Sequence, residues 1–162
     1  MAEQQPLDER VATLLREAPG SDPLVQRVTI ALHRASRALS RSYRQALAET
    51  GVSYPDYQVL RALVLSGKPY TRNPSQIAQE CGQTQSTITA RIESLEERGL
   101  VRREPDPGSR VRVNVVLTQR GRETWKRAYE DAAEAERSAL AVLDDADLRT
   151  LDTILSRLEG TR

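Results

Sequence analysis

The residues best suited to chemistry in this 162-residue chain are small, neutral and gathered in one stretch: Gln83, Thr84, Gln85, Ser86, Thr87 and Thr89. Carboxamides and hydroxyls donate and accept hydrogen bonds without carrying charge, which suits base edges and phosphate oxygens. Arg91 follows in the same stretch, and Arg110 and Arg112 come about twenty residues later. Side chains for covalent or metal chemistry are scarce, with one histidine (His33) and one cysteine (Cys81) in the whole chain. A single cysteine excludes an intrachain disulfide and a multi-cysteine zinc site. No nucleophile elbow, P-loop, dinucleotide fingerprint or carboxylate pair is present. We therefore expect neither an enzyme nor a metal or other cofactor. Cys81 shares an apolar stripe with Ile77 and Ala78, which places it as a buried structural thiol rather than an exposed redox thiolate. His33 lies off the main stripe of its helix and reads as a surface or pocket-rim residue. Tyr43, Tyr54, Tyr57, Tyr70 and Trp125 are scattered among helices and read as packing residues rather than a base-stacking platform.

The elements that must carry these residues follow from periodicity. Leu7, Val11, Leu14 and Leu15 predict a short helix over 7–17, ended by Pro19-Gly20. Asp22-Pro23 opens a long helix over about 23–50, with Val25, Val28, Leu32, Ala35, Leu39, Tyr43, Ala46 and Leu47 along one stripe. Ser53 and Pro55 open the next helix, apolar at Val59, Leu60, Leu63 and Val64. Asn73-Pro74 opens a short one that Gly82 breaks. A helix from about Thr84 to Arg98 then carries the neutral polar face opposite a narrow stripe of Ile88, Ile92 and Leu95, with Gly99 past its end. From Leu100 the period becomes two. Residues 100–103 predict a strand, 105–109 a turn, and 110–117 a returning strand with Val111, Val113, Val115 and Leu117 on one face. Thr118 and Asp144 or Asp145 cap two final helices.

Charge is sorted along the chain. Residues 68–127 carry 12 basic and 7 acidic side chains, residues 128–162 carry 4 and 9, and the total is only +1. A basic middle in a near-neutral chain argues for one defined anionic partner surface. No apolar run approaches the ~20 residues that span a bilayer. The first 20 residues lack a basic start and an apolar centre, so a cytoplasmic protein without membrane attachment is expected.

Helix, helix, turn, helix and hairpin over 55–118 make a winged helix-turn-helix, so the fold class expected is mainly α with a small β-hairpin wing and a helical dimerisation region. A helix ~10–12 Å wide fits the major groove. Gln83, Thr84, Gln85, Ser86, Thr87, Thr89 and Arg91 would face DNA from it, with Arg110 and Arg112 reaching a neighbouring groove or the backbone from the wing.

At these residues the chain resembles the MarR family of bacterial transcription regulators. The resemblance rests on Tyr57-Gln58-Val59-Leu60, Pro74-Ser75-Gln76-Ile77-Ala78, Gln85-Ser86-Thr87-Ile88-Thr89, Leu95-Glu96-Glu97-Arg98-Gly99-Leu100-Val101, and Val113–Leu117 with Thr118-Gln119-Arg120-Gly121. It spans about 24–158. The family's wing usually carries Asp-Arg near its tip, where this chain has Ser109-Arg110. The resemblance implies a homodimer that represses transcription and leaves its operator when a small anionic or phenolic effector binds. The segment Pro69–Pro74 is similar to the branch that includes urate-responsive repressors. That branch's two effector arginines match Arg91 and Arg103, its aspartate position is Gln58, and its N-terminal tryptophan has no counterpart, Trp125 being the sole tryptophan. The resemblance thus implies a carboxylate or phenolate effector held by Gln58, Arg91 and Arg103. Two other roles stay open, with Arg91 on phosphate and Arg103 paired with a glutamate.

The organisation expected is 1–50 as N-terminal dimerisation helices, 51–121 as the DNA-binding lobe, and 122–162 as C-terminal helices completing the dimerisation region. Apolar stripes outside 55–118 exceed what a small winged-helix unit can cover, and burial in a second copy at about 25 cal/mol per Å² would cover them. A two-fold dimer would read a pseudo-palindromic operator with half-sites about one turn apart. An architectural DNA-binding protein without an effector, or a protein-docking winged helix, remains the alternative.

Overall fold

The computed structural model describes residues 5–109 and 112–160. Arg110, expected at the wing tip, lies outside the described residues. In chain order the elements are α1 (Leu7–Glu17), α2 (Pro23–Ala46), α3 (Tyr54–Leu65), β1 (Thr71–Arg72), α4 (Pro74–Cys81), α5 (Gln85–Glu97), β2 (Val101–Pro105), β3 (Val113–Leu117), α6 (Gln119–Leu140) and α7 (Asp145–Glu159). The chain is mainly helical, with a small antiparallel sheet in the order β1-β3-β2.

Helix starts are set by short side chains that accept otherwise unpaired backbone N–H groups. Ser53 accepts from Asp56 at the head of α3, Thr84 from Thr87 at α5, and Thr118 from Gly121 at α6. At α4, Asn73 and Gln76 cap each other reciprocally. Asp144 accepts from Ala146 and Asp147 at α7.

Two compact units divide the chain, the first ending at Ser42 and the second beginning at Tyr43. In the first, α1 is pinned to α2 by the Asp8–Arg27 ion pair and by the Arg34 guanidinium, which donates to the Gln5 carbonyl at 3.2 Å. Val11 is buried, whereas Leu24, Val25, Val28 and Leu32 on α2 are exposed.

In the second unit α3 is the central helix, burying Tyr57, Val59, Leu60, Ala62 and Leu63 against α4, α5, α6 and β3. Ile77 of α4 and Ile88, Ile92 and Leu95 of α5 complete that core from the helix-turn-helix, and Val101, Val115, Val116 and Leu117 from the sheet. Gly99 ends the α5 turn at φ +69°, the left-handed region that favours glycine, and Leu100 then bonds back to Leu95 at 2.9 Å. Gly121 has a different reason: a Cβ there would stand 1.9 Å from the Leu100 carbonyl oxygen. Its absence lets α6 start hard against the base of the hairpin.

The expected elements all occur, with three local differences. Helix α2 ends at Ala46 and a turn carries the chain to Gly51. Val113 is 41% exposed, while Val115, Val116 and Leu117 are buried in succession, so alternation fails in β3. The reason is position: β3 runs between β1 and β2 and packs on α3 and α4, enclosing its C-terminal half. The third difference is β1 itself, where Thr71 and Arg72 pair with Val116 and Val115. Two residues are too few for periodicity to reveal.

Candidate nucleic-acid interface

The polar face of α5 is presented as its composition suggests. Ile88, Ile92 and Leu95 are buried on one side, while Gln83, Thr84, Gln85, Ser86, Thr87 and Thr89 are exposed on the other. The hydroxyls are not equivalent. Thr84 caps the helix and lies 2.8 Å from the Thr87 hydroxyl and 3.1 Å from that of Ser86. The Thr89 hydroxyl donates to the Gln85 carbonyl at 2.9 Å. Among the described residues the carboxamides of Gln83 and Gln85 make no hydrogen bond, which leaves both free to read an external partner.

Gln85 opens onto a cleft of about 510 Å³ between the head of α4, the head of α5 and the start of β3. Its walls are Asn73, Pro74, Ser75, Gln76, Gln79, Gln85, Arg112 and Val113. Two predicted residues, Gln85 and Arg112, are thus brought to one space although 27 positions apart, and no carboxylate lines it among the described residues. Ser75, Gln76 and Gln79 are additions that sequence reasoning missed. Their signal was available: the outward face of α4 has the same neutral, hydrogen-bonding composition as that of α5.

Behind this surface lies a charge cluster. Asp56 is 6% exposed, the sole charged side chain buried among the described residues. Its carboxylate accepts from Arg91 at 3.3 Å and from Arg98 at 3.0 Å, and Arg98 also donates to the Gly51 carbonyl at 2.7 Å. The backbone of Asp56 takes part in the α3 cap while its side chain ties α5 to the start of α3. Arg103 pairs with Glu96 at 3.3 Å and Glu93 at 3.6 Å, and its backbone N–H donates to Glu96 at 2.9 Å. Gln58 donates to the Tyr54 hydroxyl at 3.3 Å. Gln58, Arg91 and Arg103 each have a different partner, and no hydrogen bond or ion pair joins them to one another among the described residues. Pairing with a glutamate was one of the two roles left open for Arg103.

The aromatic residues serve packing. Tyr43 stacks on Tyr54 with centroids 5.0 Å apart and lies 6.1 Å from Tyr57, and its hydroxyl donates to Glu136 at 2.5 Å. Burial, reinforced by Glu136, pushes the Tyr43 phenol far above its ordinary range, and burial pushes Tyr57 up to about 12. Trp125 stacks on Tyr129, and Arg122 lies 5.6 Å from the Tyr70 ring centroid. Cys81 is half-buried, and burial raises its thiol to about 11, so it is protonated at neutral pH.

Known proteins share this arrangement. A profile of the MarR family matches residues 50–110, which hold α3, α4, α5, β2 and the polar face of α5. The HTH-type transcriptional regulator PecS of Dickeya dadantii is 30% identical over 159 residues, covering 98% of this chain and 96% of PecS. A MarR family transcriptional regulator from Rhodococcus sp. RHA1 superposes with a TM-score of 0.74 at 25% identity, covering 85% of this chain and 96% of the other. Bordetella bronchiseptica BpsR, whose DNA binding is regulated by 6-hydroxynicotinic acid, superposes with a TM-score of 0.72 at 23% identity, covering 82% of this chain and 98% of BpsR.

Proposed function

The chain belongs to the MarR family of DNA-binding transcriptional regulators, and on that premise we propose that it is a homodimeric repressor. In this reading it occupies a pseudo-palindromic operator in the cytoplasm until a small anionic or phenolic ligand releases it. The observation that carries the reading is the carboxylate-free cleft where Gln85 of α5 and Arg112 of the wing face one space. A phosphate backbone entering there meets a guanidinium and a set of neutral donors, while the free carboxamides of Gln83 and Gln85 can reach base edges. Ser86, Thr87 and Thr89 supply hydroxyls beside them, Thr84 holds the helix head, and Arg110 adds a wing charge. Residues 51–121 form the reading lobe, and 1–50 with 122–162 the dimerisation region.

For the effector we propose Gln58, Arg91 and Arg103. Both arginines already hold carboxylates, so a ligand anion acts by exchange, replacing Asp56 on Arg91 or Glu93 and Glu96 on Arg103. Because Arg91 lies on α5, that exchange moves the reading helix. Regulation of BpsR by an organic acid supports this choice of ligand class.

Selection of DNA from a random pool by the purified protein tests the reading. The expected result is a two-fold symmetric motif with half-sites about one helical turn, ~10 bp, apart. Enrichment without a motif would replace it with an architectural DNA-binding protein, and no enrichment at low salt with a docking module.

A further inference from the structure

Helix α2 contains no acidic residue among its 24, yet it carries His33 and arginines at 27, 34, 37, 41 and 44. Two of these charges hold α1 in place: Arg27 on Asp8 and Arg34 on the Gln5 carbonyl. His33 and Arg37, one turn apart on the same face, instead open with Arg10 of α1 onto an open surface cavity of about 300 Å³ that Ile30 also lines. All four lining residues belong to the first unit, so the site is complete within it. Among the described residues no carboxylate lines this cavity, and the side chains of Arg10, His33 and Arg37 make no ion pair or hydrogen bond.

We propose that this cavity is a binding site for a small oxyanion, a carboxylate or phosphate compact enough to sit against Ile30. Two guanidiniums facing one space repel each other, and an anion between them converts that repulsion into charge-assisted hydrogen bonds, with an imidazole N–H beside them as a further donor. The contrast with Arg91 and Arg103 is direct. Those two are neutralised by Asp56, Glu93 and Glu96, so an anion must displace an internal carboxylate to reach them. At Arg10, His33 and Arg37 no carboxylate of the described residues has to be displaced. A cavity of this size is at the lower end for small-molecule sites and admits one ring or one tetrahedral anion. The site is independent of the operator and effector assignments made above, since its occupancy is measured without DNA.

Calorimetric titration of the full-length protein tests it, with benzoate and inorganic phosphate as separate probes in low-chloride buffer. The expected result is saturable binding of at least one probe at one site per chain. R10A/R37A weakens that binding tenfold or more, while R41A/R44A, which removes the same charge elsewhere on α2, leaves it within about twofold. Ile30→Ala separates the two sources, weakening benzoate but not phosphate. Absence of saturation with both probes overturns the proposal, as does equal weakening by the two double variants, which would mark a diffuse charge effect. Should R10A/R37A lose its helical circular dichroism, R37Q alone carries the comparison, and unchanged affinity in R37Q overturns the proposal.

Discussion

Asp56 shows how one side chain can govern an interface it does not touch. A carboxylate buried at 6% exposure is tolerated while it is paired, and its two partners are Arg91 on α5 and Arg98 at that helix's C-terminal cap. Asp56→Asn keeps the shape but leaves two guanidiniums facing a neutral amide. The arginine side chains are 38% and 36% exposed, so water compensates in part and the loss falls to about 1–3 kcal/mol, below the range for a fully buried pair. Urea denaturation measures it, with weaker operator binding expected alongside; an unchanged midpoint would remove Asp56 as the α3–α5 tie. Nothing local marked this residue, because its partners lie 35 and 42 positions away. The tyrosines give a second prediction at this scale. Burial raises Tyr57 from its ordinary 10 to about 12 in the fold and raises Tyr43 in the same direction. Their ionised forms are disfavoured in the folded chain, so stability is complete below pH 10 and falls as pH rises through 12. The tyrosinate absorbance that Tyr43→Phe/Tyr57→Phe removes should rise together with unfolding; a rise of that component before unfolding would contradict this.

At the scale of elements, the helix heads were legible because capping is a contact between near neighbours in sequence. Ser53, Asn73, Thr84, Thr118 and Asp144 all cap helices. Gly99 was legible for the same reason, as the residue after a polar-ended helix. Gly121 has no such local signature, since its reason is the Leu100 carbonyl twenty-one positions earlier. Gly121→Ala would force apart α6 and the hairpin base, where the neighbouring atom is backbone and cannot rotate away. We expect a loss of about 3 kcal/mol by thermal or chemical unfolding. Gly20→Ala is the control, as an added Cβ meets nothing within 4 Å there. Equal stability of the two variants would mean that α6 adjusts its start at no cost.

At the scale of the whole molecule, exposed apolar residues recur on helices outside the reading lobe. Val25, Val28 and Leu32 on α2 and Ile154, Leu155 and Leu158 on α7 are all exposed, at spacings that align each set along one helix face. Such faces are covered when a second copy packs on them. Val28→Glu with Leu32→Glu, at positions 49% and 42% exposed, should leave the single-chain fold intact and shift the protein to monomers in light scattering. Because a palindromic site needs two reading helices, operator affinity should fall with it. A double variant that stays dimeric would place the interface elsewhere.

The order of elements, the helix-turn-helix and wing, the neutral face of α5 and its buried stripe are legible from the residues alone, because periodicity, capping and turn chemistry act over a few residues. Tertiary structure decided the rest. It enclosed Val115, Val116 and Leu117 in succession in β3, added β1, and brought Arg112 to the cleft of Gln85. It also bound Arg91 and Arg98 to Asp56 and Arg103 to two glutamates, whereas sequence alone left Arg91 open to a ligand or a phosphate and Arg103 open to a ligand or a glutamate. A guanidinium goes to the carboxylate the fold places nearest, and that neighbour is set by long-range packing rather than by spacing along the chain.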